Sequence, residues 1–290
     1  MTHELAAPEA PPYFTLQVGV GFCRCDIRVN DIPLMVDDLS ASRVDVEIPL
    51  NPLVFTGENT LSVKLLPPRG GEQGPDYDLR GPSTKCSVVL QRKPYGAEHP
   101  KTLLASIVYE PGDEPFAGSS PEGAEASAVA VTGDAEAGYA AARTARLATP
   151  FPEWRWVQAP PIAPSDVVVA ELLREHQRFW AALRNKDVAE VRAILGANAR
   201  EVQAAYYLPD LDNAWRVLGI EALMRNPDAS LKPMPTDLAL EVFAHGRMAR
   251  FVDANRNSPI GFDERDTGLD AFIDAWFCRG GVGLGWVMIR

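Results

Sequence analysis

The stretch Gln158-Ala-Pro-Pro-Ile-Ala-Pro-Ser165 separates two kinds of hydrophobic pattern in this chain. Before it, apolar residues recur at every second position, as in a strand with one buried face. After it, they recur with a period of about 3.6 residues, as in an amphipathic helix. Because proline fits poorly into either pattern and favours extended backbone, we predict two domains, 1–158 and 166–290, joined by a proline-rich linker, 159–165.

The first domain consists of short alternating segments separated by turn residues. In the segment from Phe14 to Val20 the even positions are apolar, and this parity switches after Gly21, which indicates a bulge or a tight reversal. Trp154 and Trp156 share one face of a predicted last strand and are interpreted as core residues. Many short strands of this kind predict an all-β antiparallel sandwich. Further alternating segments are Val44–Leu50, Leu61–Leu65, Cys86–Leu90 and Leu103–Tyr109.

Three stretches of the first domain carry a resemblance to a known fold. They are Val29-Asn-Asp-Ile-Pro-Leu34, Ile48-Pro-Leu-Asn-Pro52 and Gly57-Glu-Asn-Thr-Leu-Ser-Val63. Their order and the G-x-N-x-L-x-V pattern resemble those of the jelly-roll sandwiches in carbohydrate-binding modules. The resemblance implies a fold and makes carbohydrate binding one alternative function, but it carries no sugar-binding residue over, because such sites lie on variable loops.

An acidic segment, 110–142, lies near the end of the first domain. It contains seven acidic residues and neither Lys nor Arg. Such a composition buries little apolar surface, so we predict that about half of the segment is an exposed loop, with Ala126–Val131 as a strand inside it. Two interpretations remain open: Asp113 and Glu114 belong to a contact loop for a basic partner, or the segment is a solvated insertion.

The second domain is predicted to be α+β, with helices first and an antiparallel sheet after them. Ser165 or Asp166 is expected to cap the first helix, and Asp187 to cap a second one that ends at Gly196. Gly280-Gly281 lies between two apolar runs, Asp270–Arg279 and Val282–Ile289, and indicates a hairpin. The other predicted elements are helices near 198–207 and 211–224 and strands at 238–242 and 248–252, joined by a turn at Ala244-His-Gly246.

The opening helices of this domain carry a second resemblance. Glu171-Leu-Leu-Arg-Glu-His-Gln-Arg-Phe-Trp180, continued through Asp187 to Val191, resembles the cone-shaped α+β family of nuclear-transport-factor-like proteins and polyketide cyclases. The resemblance implies a small-molecule pocket or a dimerisation surface. No motif matches the acid and base positions of the family, so no catalytic residue is carried over. A pocket lined by His176, Tyr206 and Asp253 would favour the alternative of a small-molecule carrier or an isomerase- or cyclase-type enzyme.

Aromatic and acidic residues are densest in the second domain at Tyr206, Tyr207, Asp210, Asp212 and Trp215. Tyrosine beside aspartate suits acid-base chemistry, but tyrosine, tryptophan and aspartate also form protein contact surfaces. We favour contact or core packing over catalysis. The four histidines are too widely spaced in the sequence to form a local metal-binding motif. Cys23-Arg-Cys25 is interpreted as core packing. No cofactor-binding motif occurs. We therefore predict no metal, cofactor or catalytic residue.

Charge and composition narrow the class of protein. The net charge is −11 over 290 residues, and 13 basic residues stand against 21 acidic ones before residue 165. This balance argues against nucleic acid as a partner, because phosphate binding needs clustered Lys and Arg. The N-terminal residues lack the pattern of a signal peptide, and no apolar run is long enough to span a membrane. With four scattered cysteines, these features predict a cytoplasmic protein.

We therefore expect a non-enzymatic, cytoplasmic protein-binding protein with a basic partner, and the sequence also leaves a homodimer open. The most specific form of this hypothesis is a bacterial immunity-type protein that neutralises a toxin. The acidity of the chain and the lack of a catalytic set both motivate it. The sequence by itself identifies no partner.

Overall fold

The computed structural model describes residues 10–68, 78–264, 269–280 and 285–290 of the chain. It divides into two compact units, Met1–Phe151 and Pro152–Arg290. Antiparallel strands form the first unit, while helices followed by antiparallel strands form the second, as the predicted fold class requires. The change of periodicity at Gln158 thus lies within the second unit, after its first helix begins.

Two five-stranded antiparallel sheets make up the first unit. The strands are β1 Pro12–Gly21, β2 Arg24–Val29, β3 Ile32–Asp38, β4 Arg43–Pro49, β5 Gly57–Leu66, β6 Lys85–Pro94, β7 Thr102–Tyr109, β8 Phe116–Ala117, β9 Ala130–Asp134 and β10 Gly138–Leu147. One sheet has the order β4-β1-β6-β7-β8 and the other β3-β2-β5-β10-β9. Apolar side chains from both sheets, among them Leu16, Val88, Val63 and Ile27, are fully or almost fully buried and form the core.

The parity switch after Gly21 is a reversal that carries the chain from one sheet to the other. Phe22 has a left-handed backbone with φ of 59°, and β1 and β2 belong to different sheets. The switch therefore keeps both strands facing the same core. Cys23 and Cys25 are 0% and 4% exposed. Burial raises the pKa of Cys23 to about 12 and that of Cys25 to about 11, so both remain packed thiols.

β3 and β10, besides the two-residue strand β8, lack a clear alternating pattern and were not predicted. β3 follows a turn at Asn30 and Asp31, whose φ values are 54° and 62°. In β10 the buried positions include Ala141, Arg143 and Ala145. Small side chains and a charged one at inward positions produce little hydrophobic alternation, although β10 is hydrogen-bonded on both sides within its sheet.

The predicted last strand around Trp154 and Trp156 is wrong. The chain forms a short helix there, α1 Arg155–Gln158, within the second unit. Both tryptophans are buried, at 0% and 3% exposure, so their interpretation as core residues agrees with the structure. Two large apolar residues two positions apart fit either a strand or one helical turn, and the pattern is too short to separate them.

Four longer helices follow: α2 Asp166–Arg184, α3 Val188–Ala205, α4 Leu211–Leu218 and α5 Ile220–Arg225. Ser165 is the N-cap of α2, since its hydroxyl accepts a hydrogen bond from the Val168 N–H. Asp187 caps α3 in the same way, accepting from the Glu190 N–H. Gly219, with φ of 69°, separates α4 from α5, which divides the single helix predicted near 211–224.

The helix end predicted at Gly196 is wrong, and so is the separate helix predicted after it. α3 continues through Gly196 to Ala205. A glycine inside a helix costs about 1 kcal/mol relative to alanine. The buried stripe formed by Val191, Leu195 and Ala199 runs across the glycine, and its packing outweighs that cost.

The strands of the second unit form two small antiparallel sheets. They are β11 Ala229–Leu231, β12 Ala239–Phe243, β13 Met248–Val252, β14 Gly261–Glu264, β15 Leu269–Phe272, β16 Phe277–Arg279 and β17 Trp286–Met288. The sheet orders are β11-β14-β15 and β12-β13-β16-β17. The predicted turn at Ala244-His-Gly246 is confirmed, with positive φ at all three residues.

The predicted hairpin near the end of the chain is correct in its pairing and wrong in its length. β16 pairs with β17, and Gly280 N donates to Gly285 O over 2.9 Å. Asp270–Arg279 is not one strand, because β15 and β16 belong to different sheets. Residues 281–284 of the predicted hairpin lie outside the described residues.

The core of the second unit lies between the helices and the strands. Leu172, Phe179 and Leu195 from α2 and α3 belong to the same buried cluster as Phe251 and Phe277 from β13 and β16. In the part of the chain that the structure describes, no helix combines the length and apolar character that crossing a membrane requires.

Candidate functional site

Asp113 and Glu114 lie at the tip of a hairpin formed by β7 and β8. β8 pairs with the end of β7, and the Glu110 N–H donates to the Pro115 carbonyl over 2.9 Å. This bond closes a tight loop that contains both acidic residues. The side chains of Asp113 and Glu114 are exposed, so the two carboxylates are presented from an ordered turn.

An aromatic cluster attaches this hairpin to the core. The ring of Phe116 lies 5.0 Å from that of Tyr109 and 5.3 Å from that of Tyr139, between ring centres. The Tyr109 hydroxyl donates to the Leu79 carbonyl over 2.7 Å. Burial raises the pKa of Tyr109 to about 12, so the hydroxyl keeps its proton and remains a donor at neutral pH.

Arg143 on β10 holds the next part of the acidic segment. Its side chain is among the buried charged groups of the chain, with the residue 5% exposed. One guanidinium nitrogen donates to the Ser106 and Ser119 carbonyls, each over 2.9 Å, and another donates to the Ser127 carbonyl over 2.8 Å. Burial lowers the pKa of Arg143, but arginine stays protonated at neutral pH. A buried cation thus joins three stretches of backbone.

Backbone hydrogen bonds continue this attachment along β10. The Ser127 N–H donates to the Thr144 carbonyl, and the Arg146 N–H donates to the Glu125 carbonyl. Ala126 forms an isolated bridge with Ala145. The strand predicted at 126–131 is therefore only partly present, because the regular strand β9 begins at Ala130.

The acidic side chains of this segment all point away from the core. Two of them make ion pairs with exposed arginines: Glu125 lies 3.6 Å from Arg146, and Glu136 lies 3.8 Å from Arg80. The surface therefore keeps a strong negative charge on a hydrogen-bonded backbone. We call it the acidic face, and its exposed acids are Glu110, Asp113, Glu114, Glu122, Glu125, Asp134 and Glu136.

The predicted cluster Tyr206–Trp215 lies at the corner between α3 and α4 in the second unit. Tyr206 follows the last residue of α3, and Tyr207 has a left-handed φ of 53°. Burial raises the pKa of Tyr207 to about 12, which makes it a poor general base at neutral pH. Trp215 is half-buried, with the Arg192 guanidinium 5.4 Å from its ring centre.

Asp210 and Asp212, the acidic members of that cluster, differ in their roles. Asp210 is the N-cap of α4, and its carboxylate accepts hydrogen bonds from the Asn213 N–H and side-chain amide over 2.8 and 2.7 Å. The bond from the Asn213 N–H is the main reason why the pKa of Asp210 is lowered. Asp212 is exposed in the first turn of α4. Asp210 therefore caps a helix, whereas Asp212 is exposed and has no capping role.

Changing Asp210 to alanine is expected to lower the free energy of unfolding of the second unit by about 1 kcal/mol, because the helix cap is lost. Urea unfolding followed by tryptophan fluorescence measures this effect, since all six tryptophans of the chain lie in that unit. Asp212→Ala is the matched control and should change stability much less. Equal effects of the two substitutions would contradict the assigned cap.

His176 and Asp253 are each engaged in local structure. His176 is 0% exposed, its Nδ1 lies 2.9 Å from the Leu172 carbonyl oxygen, and its ring centre lies 4.8 Å from that of Phe277. Burial lowers the pKa of His176 to about 4, so it is neutral at neutral pH. Asp253 accepts hydrogen bonds from the N–H groups of Asn255 and Asn257 in the loop after β13. The interactions of His176 are thus those of a packed core residue.

The described residues contain no group of three or more His, Cys, Asp or Glu side chains placed to hold a metal ion. No protein-family model matches the chain, and neither does any curated protein or solved structure.

Proposed function

We propose that this chain is a protein-binding protein whose acidic face contacts a basic partner. The observation that carries the proposal is the attachment by Arg143, which fixes the backbone from the Ser119 to the Ser127 region while the carboxylates stay outside. Charges held on an ordered backbone lose less conformational freedom on binding than charges on a mobile loop. The acidic face is accordingly better prepared for binding than a solvated insertion of the same composition.

In its most specific form, the proposal describes an immunity-type protein that masks a basic toxin. The net charge of −11 supports a basic partner, because attraction between opposite charges speeds association and selects against acidic competitors. The second unit offers a different kind of contact surface on α4, where Leu211 and Val217 are 39% and 57% exposed. Exposed apolar side chains beside a half-buried tryptophan suit a protein contact.

Neutralising four acids of the acidic face is expected to weaken partner binding by about tenfold or more at low ionic strength, because the charge attraction is lost. The variant carries Asp113→Asn, Glu114→Gln, Glu122→Gln and Glu125→Gln. The full chain captures partners from extracts of its source cell, mass spectrometry identifies them, and Kd is then measured with the purified partner at low and high salt.

The matched control neutralises four exposed acids elsewhere on the chain, namely Glu58, Glu98, Asp166 and Asp237. It changes the net charge equally and should retain most of the affinity. The proposal is wrong if the full chain retains no partner saturably, or if the control variant loses as much affinity as the acidic-face variant.

A further inference from the structure

A cavity of about 440 Å³ opens in the second unit where α3, the α4–α5 junction and the end of β15 meet. Its size falls within the range of small-molecule sites, about 300–1,000 Å³. Most of its wall is apolar, and Phe272, at 40% exposure, lies at its edge. The main apolar residues of the wall are Leu195, Leu218, Ile220, Leu223, Phe272 and Met288.

One polar side chain, Asn198, is buried among these apolar residues. It lies on α3 one turn after Leu195 and lines the cavity at only 4% exposure. Within the described ranges of the chain, no hydrogen bond to its carboxamide is found, and its amide atoms are not among the enclosed polar atoms that lack a partner. The carboxamide is therefore accessible from the cavity, where water or a bound molecule can pair with it.

The charged residues at the rim do not favour an ionic ligand. Asp274 lies 3.7 Å from the Arg250 guanidinium, and the Arg290 guanidinium lies 4.6 Å from the ring centre of Trp276. Each charge has a protein contact, and the two lining residues have opposite signs. The cavity thus combines an apolar wall, one accessible amide and little net charge, which together select an uncharged molecule.

We propose that this cavity binds an uncharged, mainly apolar small molecule that carries a carboxamide group. The Asn198 side chain donates through Nδ2 to the carbonyl of the ligand and accepts through Oδ1 from its N–H, while Leu223 and Phe272 contact the apolar body. An amide ligand pairs with both the donor and the acceptor of the Asn198 carboxamide at once, which an apolar molecule cannot do. The cavity belongs to the second unit and the acidic face to the first, and each proposal has its own experiment, so the two can fail independently.

Two compounds with the same ring system, 2-naphthamide and 2-methylnaphthalene, test the proposal. Equilibrium dialysis against the full chain, with the retained compound quantified by absorbance, gives Kd for each. We expect both to bind and 2-naphthamide to bind about tenfold more tightly, the effect of the hydrogen bonds to Asn198. The proposal is overturned if neither compound is retained, or if the amide has no advantage, since water would then be the partner of Asn198.

Three variants locate the binding. Asn198→Leu should make the Kd values of the two compounds equal, because the hydrogen bonds to the amide are lost. Leu223→Trp should abolish the binding of both compounds by filling the cavity. Val167→Trp, at an exposed position of α2, is the control and should bind both compounds like the original chain. Circular dichroism checks folding. If Asn198→Leu does not fold, the comparison of Leu223→Trp with Val167→Trp still locates the binding. Unchanged binding in Leu223→Trp would overturn the proposal.

Discussion

Replacing Arg143 by methionine is expected to lower the stability of the first unit by about 3 kcal/mol, because carbonyl groups of Ser106, Ser119 and Ser127 lose a charged donor. Methionine retains much of the apolar length of the side chain. The decrease in stability therefore measures mainly the loss of the hydrogen bonds. The backbone of the acidic face should open first. Amide hydrogen exchange measured by mass spectrometry should show faster exchange between residues 117 and 129.

Arg146→Met on the same strand is the matched control. Arg146 is 66% exposed and its ion pair with Glu125 spans 3.6 Å, so its removal should cost less than about 1 kcal/mol. If the acidic face acts as proposed, Arg143→Met should also weaken partner binding even though every carboxylate is still present. Exchange rates that are equal in the two variants would show that Arg143 does not order the segment.

The sequence predicts the fold class because hydrophobic period decides which face of each element is buried. β1, β5 and α2 follow this rule closely, and most of the apolar positions predicted for them are buried in the structure. Where buried positions carry small or charged side chains, as in β10, the rule fails. It also fails over short distances, as at Trp154 and Trp156, since one helical turn and one strand repeat look alike.

The candidate sites were less predictable than the fold, for a physical reason. Asp113 and Glu114 were recognisable by composition, but the group that orders them is a single arginine on β10, and its partners are backbone carbonyls. Backbone acceptors are identical at every residue and leave no sequence signal. Asn198 was missed similarly, because an asparagine within a helical pattern does not reveal whether its amide has a partner.

Lowering the pH from about 6.5 to about 4 is expected to reduce the free energy of unfolding of the second unit through His176. Its pKa is about 4 in the folded chain, below the ordinary value of 6.5, because burial disfavours the charged ring. Between these values the unfolded chain binds a proton that the folded chain does not bind. Stability is therefore full above about pH 6.5, falls as the pH decreases, and levels off below about 4, with a total loss of about 3 kcal/mol.

Substitution by glutamine isolates this contribution, because His176→Gln keeps a donor for the Leu172 carbonyl and does not titrate. Urea unfolding followed by tryptophan fluorescence at several pH values should show a shallower decline for the variant than for the original chain. Burial raises the pKa of Glu201 and acts in the opposite direction, but Glu201 is present in both proteins and cancels in the comparison. Parallel stability curves for the His176→Gln variant and the original chain would mean that the pKa of His176 is not lowered on folding.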